Sequence, residues 1–311
     1  MSVFNKAVRS AVPLKICLGG LSGSGKTLSA LLLARGLVRD KEDPKIFVID
    51  TEAGSSQLYT DAITYGIDFP FYVVPLEKFS PKEYDKLMEA AIAEGADVLI
   101  IDSISPAWDS EGGILDQKSN YDASGVTSKT GFFSWDAFTK KQNTFFEHIR
   151  KTPIHTICTV RGKAQYDTVG GIKKLNSIGF KQRKDVEYEF DMFGEIDKVT
   201  HEMEVTKSRF VPFPVGWNGI IDIETGGILA DWNSSGVNIS ELTKVAVVNL
   251  KESLFGNENA MRLLLADYGV TKPKELPASV LERIAAKDFD LLPYLEKSKE
   301  IEQSLEKTTD N

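Results

Sequence analysis

Residues that commonly bind metals or form disulfides are rare in this sequence. It contains two cysteines, Cys17 and Cys158, each inside an apolar run, and only three widely separated histidines. The cysteines therefore fit buried thiols in a reducing compartment better than a disulfide. A zinc site would have almost no ligands. The sequence also lacks an uninterrupted apolar run of about 18 residues, which excludes a transmembrane helix.

Positive charge is scarce as well. The chain carries 37 Lys and Arg against 45 Asp and Glu, a formal net charge of −8. This balance excludes a uniformly basic coat for nucleic acid, although a local basic segment remains compatible with it. The N-terminal residues lack the apolar stretch of a signal peptide, so we expect a cytoplasmic protein without membrane attachment.

Apolar runs of strand length alternate with helical patterns along most of the chain. Strands are predicted at 14–18, 45–49, 69–76, 96–102 and 154–160, and helices at 26–38, 81–94 and 132–150. This alternation predicts an α/β fold with a mostly parallel sheet. A hairpin of antiparallel edge strands is predicted over 188–209. The stretches 105–130 and 162–185 show no periodicity, and we expect them to be long functional loops.

Changes in composition and in hydrophobic pattern divide the chain into four parts. We expect an N-terminal arm at 1–12, an α/β core at 13–232, a small helical module at 237–300 and a charged tail at 301–311. A 311-residue chain is long enough for one medium α/β domain and one smaller unit.

A phosphate-binding motif follows the first predicted strand and begins the first helix. Residues 20–27 read GLSGSGKT and match G-x-x-x-x-G-K-[ST] without a gap. The glycines allow backbone N–H groups to surround a polyphosphate, and the helix N-terminus adds its positive end. ATP and Mg²⁺ are therefore the expected cofactors. The expected nucleotide-binding residues are Gly20, Ser22, Gly23, Ser24, Gly25, Lys26, Thr27 and Leu28.

Carboxylates follow two other predicted strands. Asp102 ends the apolar run Val98–Ile101, where P-loop enzymes hold their metal, so Thr27 and Asp102 are the expected Mg²⁺ residues. Asp50 and Glu52 follow the second strand. Strand alternation points both to the same side, and Glu52 lies further into the cleft. We expect Glu52 to be the general base, with a solvated surface glutamate as the alternative.

These motifs resemble those of the RecA-like ATPase superfamily. Ile49–Ala53 is similar to the recombinase segment whose glutamate activates water, and Ile101–Ser103 to its Walker B segment. Lys207-Ser208-Arg209 resembles the K-x-R element of DnaB-type hexameric helicases and the paired lysines of RecA. The resemblance implies that Lys207 and Arg209 reach the γ-phosphate of a neighbouring subunit and, with Lys26 and Glu52, serve catalysis. The alternative is a basic strand edge that discourages aggregation.

Within that superfamily, residues 1–225 most resemble phage-encoded ATPases of the Sak type, which are associated with single-strand annealing and recombination. Further matching segments are Thr51–Gly54 and Glu187–Asp191. One position differs from the RecA pattern. Where RecA-type enzymes place a glutamine that senses the γ-phosphate, this chain has Cys158-Thr159-Val160-Arg161, so Thr159 or Arg161 would have to contact the nucleotide.

A local basic segment lies between residues 161 and 184. It holds seven Lys and Arg and a single acid, Asp167, together with Tyr166 and Phe180. Cations interspersed with aromatic residues are typical of sequence-independent single-strand binding. A solvated loop is the alternative. The expected DNA-binding residues are Lys163, Lys173, Lys174, Lys181, Arg183 and Lys184.

The N-terminal arm contains a short motif for self-association. Phe4 and Ala7 resemble the F-x-x-A oligomerisation motif of RecA-like recombinases, in which the aromatic fills a neighbour's pocket; a frayed amphipathic arm is the alternative. The expected partners are single-stranded DNA, further copies in a ring or filament, and a single-strand-binding protein. We therefore expect an oligomeric ATPase stimulated by single-stranded DNA. A ring helicase and a nucleotide-gated binding module remain alternatives.

Overall fold

The structure is a computed structural model of the 311-residue chain. It describes residues 9–60, 67–124, 132–169, 172–236, 239–254 and 256–309. Over these residues, no helix combines the length and the apolar character needed to cross a bilayer.

The described chain forms two compact units. One comprises Pro13–Trp232, and the other combines the described residues before Pro13 with those from Asn233 onward. The strands of the first unit are β1 (Lys15–Gly20), β2 (Ile46–Asp50), β3 (Tyr72–Pro75), β4 (Val98–Asp102), β5 (His155–Val169), β6 (Ile172–Phe180), β7 (Met192–Ile196), β8 (Glu202–Ser208) and β9 (Asn218–Ile220).

The helices of the first unit are α1 (Lys26–Leu37), α2 (Pro81–Ala93), α3 (Pro106–Asp109), α4 (Ile114–Ala123), α5 (Phe132–Lys151) and α6 (Ile223–Ser234), the last ending just inside the second unit. The helices of the second unit are α7 (Ile239–Ser253), α8 (Glu258–Asp267), α9 (Ala278–Ala285) and α10 (Leu292–Thr309). Residues 301–309 of the expected charged tail belong to helix α10, whose backbone is helical through Thr309.

The strands form one mixed sheet in the order β3-β2-β4-β5-β1-β7-β8-β9, and β6 pairs with β5. Strands β1 to β5 and β7 are parallel, whereas β8 and β9 are antiparallel additions at one edge. The predicted α/β fold with a mostly parallel sheet and antiparallel edge strands is confirmed. The order also brings the carboxyl ends of β1, β2, β4 and β5 to one edge.

Side-chain alternation divides the sheet's apolar residues between two cores. Ile16 and Ile100 belong to the core on one face, whereas their chain neighbours Cys17 and Ile101 belong to the core on the other. Successive strand residues point to opposite faces, and a sheet covered on both faces needs apolar residues at nearly every position. This explains the near-continuous apolar runs of β1 and β4. Both cysteines are buried and free.

The basic segment differs from its predicted structure. The predicted loop at 162–185 is wrong for residues 162–169 and 172–180, which form an antiparallel ribbon of β5 and β6 in which Gly162 pairs with Phe180 and Thr168 with Lys173. In the sequence, Gly170-Gly171 is a hairpin signal, because two glycines favour the turns that join antiparallel strands.

The stretch after β4 also contains secondary structure that its sequence does not predict. Helices α3 and α4 lie within the expected loop at 105–130, of which residues 125–130 are outside the described part. Pro106 occupies the first turn of α3, where its missing N–H costs nothing. Helix α4 has no amphipathic stripe, with Ile114 as its buried residue, so periodicity alone could not reveal it.

Candidate nucleotide-binding site

The loop between β1 and α1 has the backbone geometry of a phosphate cradle. Gly23 and Gly25 have φ values of +80° and +93°, which favour glycine. Gly25 is the N-cap residue of α1, so the free N–H groups of the first helical turn face the loop. Among the described residues, the fully buried Ser24 Oγ finds no hydrogen-bond partner. Ser24 does not line the cavity described below, so its side chain packs inside the loop and does not face a ligand.

Lys26 lies at the start of α1, and its side chain is buried. Its Nζ donates to the Leu21 carbonyl oxygen at 2.9 Å, across the loop. The pKa of Lys26 lies below its ordinary value, chiefly because the side chain is buried. The carboxylates of Asp102 and Glu52 oppose this shift, and the positive charge of Arg161 adds to it. The ammonium is therefore poorly solvated and surrounded by charges, an environment in which an anionic phosphate would be favourable.

Thr27 and Asp102 meet at the base of the cradle. The Thr27 hydroxyl donates to Asp102 Oδ2 at 2.6 Å, and the hydroxyl of Thr159 donates to Oδ1. Burial raises the pKa of Asp102, and these two hydroxyl donors lower it. A hydroxyl and a carboxylate oxygen placed together are the hard ligands that Mg²⁺ prefers. Thr159 therefore orients Asp102, whereas Arg161 lines the cavity described below.

Asp50, the last residue of β2, and Glu52, two residues later, make different contacts. Asp50 is buried and accepts the backbone N–H groups of Glu52 at 2.6 Å, Gly54 at 3.3 Å and Ser56 at 2.9 Å. It thereby holds the loop that carries Glu52. Glu52 is partly exposed and accepts from Nε of Arg161 at 3.1 Å. Strand alternation did not separate these residues, but the hydrogen bonds do.

A cavity of about 560 Å³ joins these parts. Its lining contains the predicted Ser22, Gly23, Gly25, Lys26, Thr27, Glu52, Asp102 and Arg161, together with Ser55, Leu58, Tyr59, Gly162 and Lys181. The sequence did not single out Leu58 and Tyr59, which give the polar cavity an apolar wall. The side chain of Leu28, which is also expected to bind the nucleotide, packs against the core.

The turn between β7 and β8 also reaches the cradle. His201 has a left-handed backbone, and its Nδ1 lies 3.1 Å from the Ser24 carbonyl oxygen. A Cβ added to Gly23 would lie 3.8 Å from Cε of Lys198. Sequence reasoning missed both residues, because they are far from the motif in the chain and only the β1–β7 pairing brings them close.

Lys207 and Arg209 lie at the opposite edge of the sheet from this cavity. Ser208 pairs with Met192 and is level with Ile16, whereas the cradle begins at Gly20, four residue rows or roughly 13 Å away. Lys207 Nζ donates to the carbonyl oxygens of Tyr188, at 3.2 Å, and Phe190. Arg209 donates to Asp191 at 2.8 Å.

The expected DNA-binding residues are divided between the ribbon and its root. Lys163 and the backbone positions of Lys173 and Lys174 belong to the ribbon. At the root, Lys181 lies 3.6 Å from Asp109 and lines the nucleotide cavity, and Arg183 donates to Asn143 at 2.7 Å. Lys184 is exposed beside them. Phe4 and Ala7 lie outside the described residues.

Comparison with protein families agrees with this geometry. A family model described as an AAA domain matches residues 12–218, which is more than half of the chain. A comparison with curated proteins found no match. The matched range contains the cradle, Glu52, Asp102 and the ribbon. The chain therefore belongs to the AAA domain family of P-loop nucleotide-binding ATPases.

Proposed function

We propose that this protein is a Mg²⁺-dependent ATPase that assembles into oligomers and binds single-stranded DNA during phage-type recombination or replication in the cytoplasm. One observation carries the proposal: the cradle, the Thr27–Asp102 pair and Glu52 line a cavity whose wall includes the root of a basic ribbon. The resemblance to Sak-type ATPases supports the recombination role.

The residues of the cavity suit the steps of ATP hydrolysis. The cradle amides and Lys26 hold the phosphates, and Thr27 and Asp102 hold Mg²⁺, which offsets phosphate charge when bound. The Asp50 bonds fix the loop so that the Glu52 carboxylate lies at the cavity wall, where it can accept a proton from attacking water. Leu58 and Tyr59 provide an apolar surface for the nucleotide base.

The ribbon supports a DNA-binding role through its position as well as its charge. Gly162, at its root, approaches the cradle so closely that an added Cβ would lie 2.8 Å from the Gly20 carbonyl carbon. Lys163, Lys173 and Lys174 follow along the ribbon. Because the ribbon begins at the cavity wall, a DNA strand bound to it would sense nucleotide through a short connection.

Assembly is supported by two features. Lys207 and Arg209 are too distant to serve the cavity of their own chain, so a catalytic role requires a neighbouring copy. The sheet ends at β3, where Tyr72 is 49% exposed beside an apolar groove of about 570 Å³. We assign this groove to Phe4 of a neighbouring copy. Phe4→Glu should then give monomers, and unchanged assembly of that variant would refute the assignment.

The deciding experiment measures ATP turnover with and without single-stranded DNA, alongside the solution mass. We expect an oligomer whose turnover requires Mg²⁺ and rises with DNA. A protein that stays monomeric and ignores ATP under all conditions would overturn the proposal.

Two other functions use the same cavity. A ring helicase would separate strands processively, so an unwinding assay distinguishes it. A nucleotide-gated binding module would show equally slow turnover in the wild type and in Glu52→Gln. The ion pair between Glu52 and Arg161 is compatible with such a module, because it occupies the carboxylate.

The DNA-binding role has its own test. Replacing Lys163, Lys173 and Lys174 with Gln should weaken binding of a single-stranded oligonucleotide and lower the salt slope by about 2, at roughly 0.7 per lost phosphate contact. Replacing the exposed Lys78, Lys82 and Lys140 removes the same charge elsewhere and should leave the slope unchanged. Equal slopes for both variants would remove the ribbon from the DNA-binding surface.

A further inference from the structure

Lys181 lies in the basic segment that the sequence assigns to DNA, yet its side chain lines the nucleotide cavity. It comes directly after β6, next to the Gly162–Phe180 pair at the root of the ribbon. Its backbone N–H donates to the Arg161 carbonyl oxygen at 2.8 Å. Arg161 in turn is level with Gly20, where the cradle begins. Strand pairing therefore places Lys181 beside the cradle.

Both cations at this root are held by a carboxylate. Arg161 pairs with Glu52 at 3.1 Å with hydrogen-bond geometry. Lys181 Nζ lies 3.6 Å from Asp109 Oδ2, beyond hydrogen-bond distance, and its side chain is 44% exposed. An exposed ion pair of this kind contributes little stability. Lys181 can therefore exchange Asp109 for a stronger anion at small cost.

A terminal phosphate is such an anion. A phosphoryl group offers several acceptor oxygens and more than one negative charge, and charge-assisted hydrogen bonds to it are among the strong ones. Lys26 serves the cradle side of the cavity, but the wall formed by Glu52 and Asp102 is acidic. A cation that moves in from the ribbon root would offset these carboxylates when a triphosphate binds.

We propose that Lys181 is a nucleotide-binding residue that Asp109 holds in the empty site and that the terminal phosphate of a nucleoside triphosphate captures. The inference rests on the proposed ATPase function and extends it. A diphosphate lacks the terminal phosphate, so this capture distinguishes triphosphate from diphosphate. The backbone hydrogen bond between Lys181 and Arg161 places the capture at the root of the basic ribbon.

The test compares the affinities of a non-hydrolysable ATP analogue and of ADP, each with Mg²⁺, by equilibrium fluorescence binding. Lys181→Met should lower the affinity for the analogue about tenfold, because one charge-assisted contact is lost. It should change the affinity for ADP less than about twofold. Asp109→Asn should raise the affinity for the analogue a few-fold, because it releases Lys181. Adding Asp109→Asn to Lys181→Met should give no further gain.

Lys140→Met removes an exposed charge outside the cavity and is the matched control, expected to leave both affinities unchanged. Thermal unfolding without nucleotide checks that each variant is folded. An unchanged ratio of the two affinities in Lys181→Met, or an equal loss of both, would overturn the role of Lys181 while leaving the ATPase proposal intact. A wild type that binds neither nucleotide would overturn both.

Discussion

Cations lie at both edges of the parallel sheet, but they have different partners. At the carboxyl-terminal edge, Lys26, Arg161 and Lys181 line one cavity, where Arg161 pairs with Glu52 and Lys181 with Asp109. At the amino-terminal edge, Lys207 is bound to backbone carbonyl oxygens and Arg209 to Asp191. Short segments with similar positive charge lie at both edges.

The difference shows that the position of a lysine or arginine, at the carboxyl-terminal or the amino-terminal end of the parallel strands, decides which groups it can contact. The residue type does not. Parallel strands gather their carboxyl ends at one edge, where loops and the α1 N-terminus form a binding site. Strand β8 runs in the opposite direction, so its final residues arrive at the other edge. Lys207 and Arg209 can therefore act on a nucleotide only in another copy.

The largest effect is expected from Lys26→Ala. It removes the buried ammonium of the cradle, so nucleotide affinity should fall about 100-fold and turnover should be abolished. Equilibrium nucleotide binding and phosphate release measure the two losses, and both should be independent of protein concentration. The exposed Lys82→Ala is the control. Wild-type affinity in Lys26→Ala would contradict the assignment of the cradle.

Arg209→Ala tests the opposite edge. If the guanidinium stabilises phosphoryl transfer in a neighbouring copy, turnover should fall about 10³-fold while nucleotide affinity stays nearly unchanged. Turnover is measured at concentrations at which the solution mass shows assembly.

Mixing Arg209→Ala subunits with Glu52→Gln subunits then tests whether Arg209 acts in a neighbouring copy. An Arg209→Ala subunit keeps its own Glu52, and a Glu52→Gln neighbour still supplies Arg209, so a mixture should recover activity that neither variant has alone. No recovery at any ratio would argue that Arg209 serves only its contact with Asp191.

Glu52→Gln is expected to have a smaller effect than Arg209→Ala. A general base contributes about 10²-fold or more, so turnover should fall by that amount while ATP remains bound. Single-turnover phosphate release measures the chemical step. Glu42→Gln, at an exposed position, is the matched control. Equal turnover in the wild type and in Glu52→Gln would favour the binding-module function.

The smallest effect concerns His155, at the amino-terminal edge. Its Nδ1 accepts the Leu14 N–H at 3.1 Å, and burial together with Lys15 lowers the pKa of the imidazole from 6.5 to about 4. The neutral form is favoured in the folded state, so its stabilisation is present above pH 6.5 and is lost as the pH falls towards 4.

His155→Asn keeps an acceptor but cannot titrate. The free energy of unfolding of the wild type should therefore fall, relative to this variant, by on the order of 2 kcal/mol between pH 6.5 and pH 4. Urea unfolding across this range measures the difference. A constant difference between the two proteins would show that His155 is not buried in its neutral form.

Local patterns predicted the parts of the protein whose chemistry lies in a short segment. The glycines of residues 20–27, the apolar run before Asp102 and the alternation of strands and helices predicted the P-loop and the mostly parallel sheet. These succeed because backbone conformation and burial depend on neighbouring residues. The sequence does not predict the ribbon although Gly170-Gly171 signals a hairpin, because residues 162–185 show no periodicity.

The sequence by itself determined that a polyphosphate cradle follows a buried strand, since consecutive residues create it. Only the tertiary structure decided that Asp50 anchors a loop while Glu52 enters the cavity, that Lys181 lines the same cavity, and that Arg209 lies at the far edge. Strand order and direction control these placements, because hydrogen-bonded pairing between distant segments brings together residues that no local pattern relates.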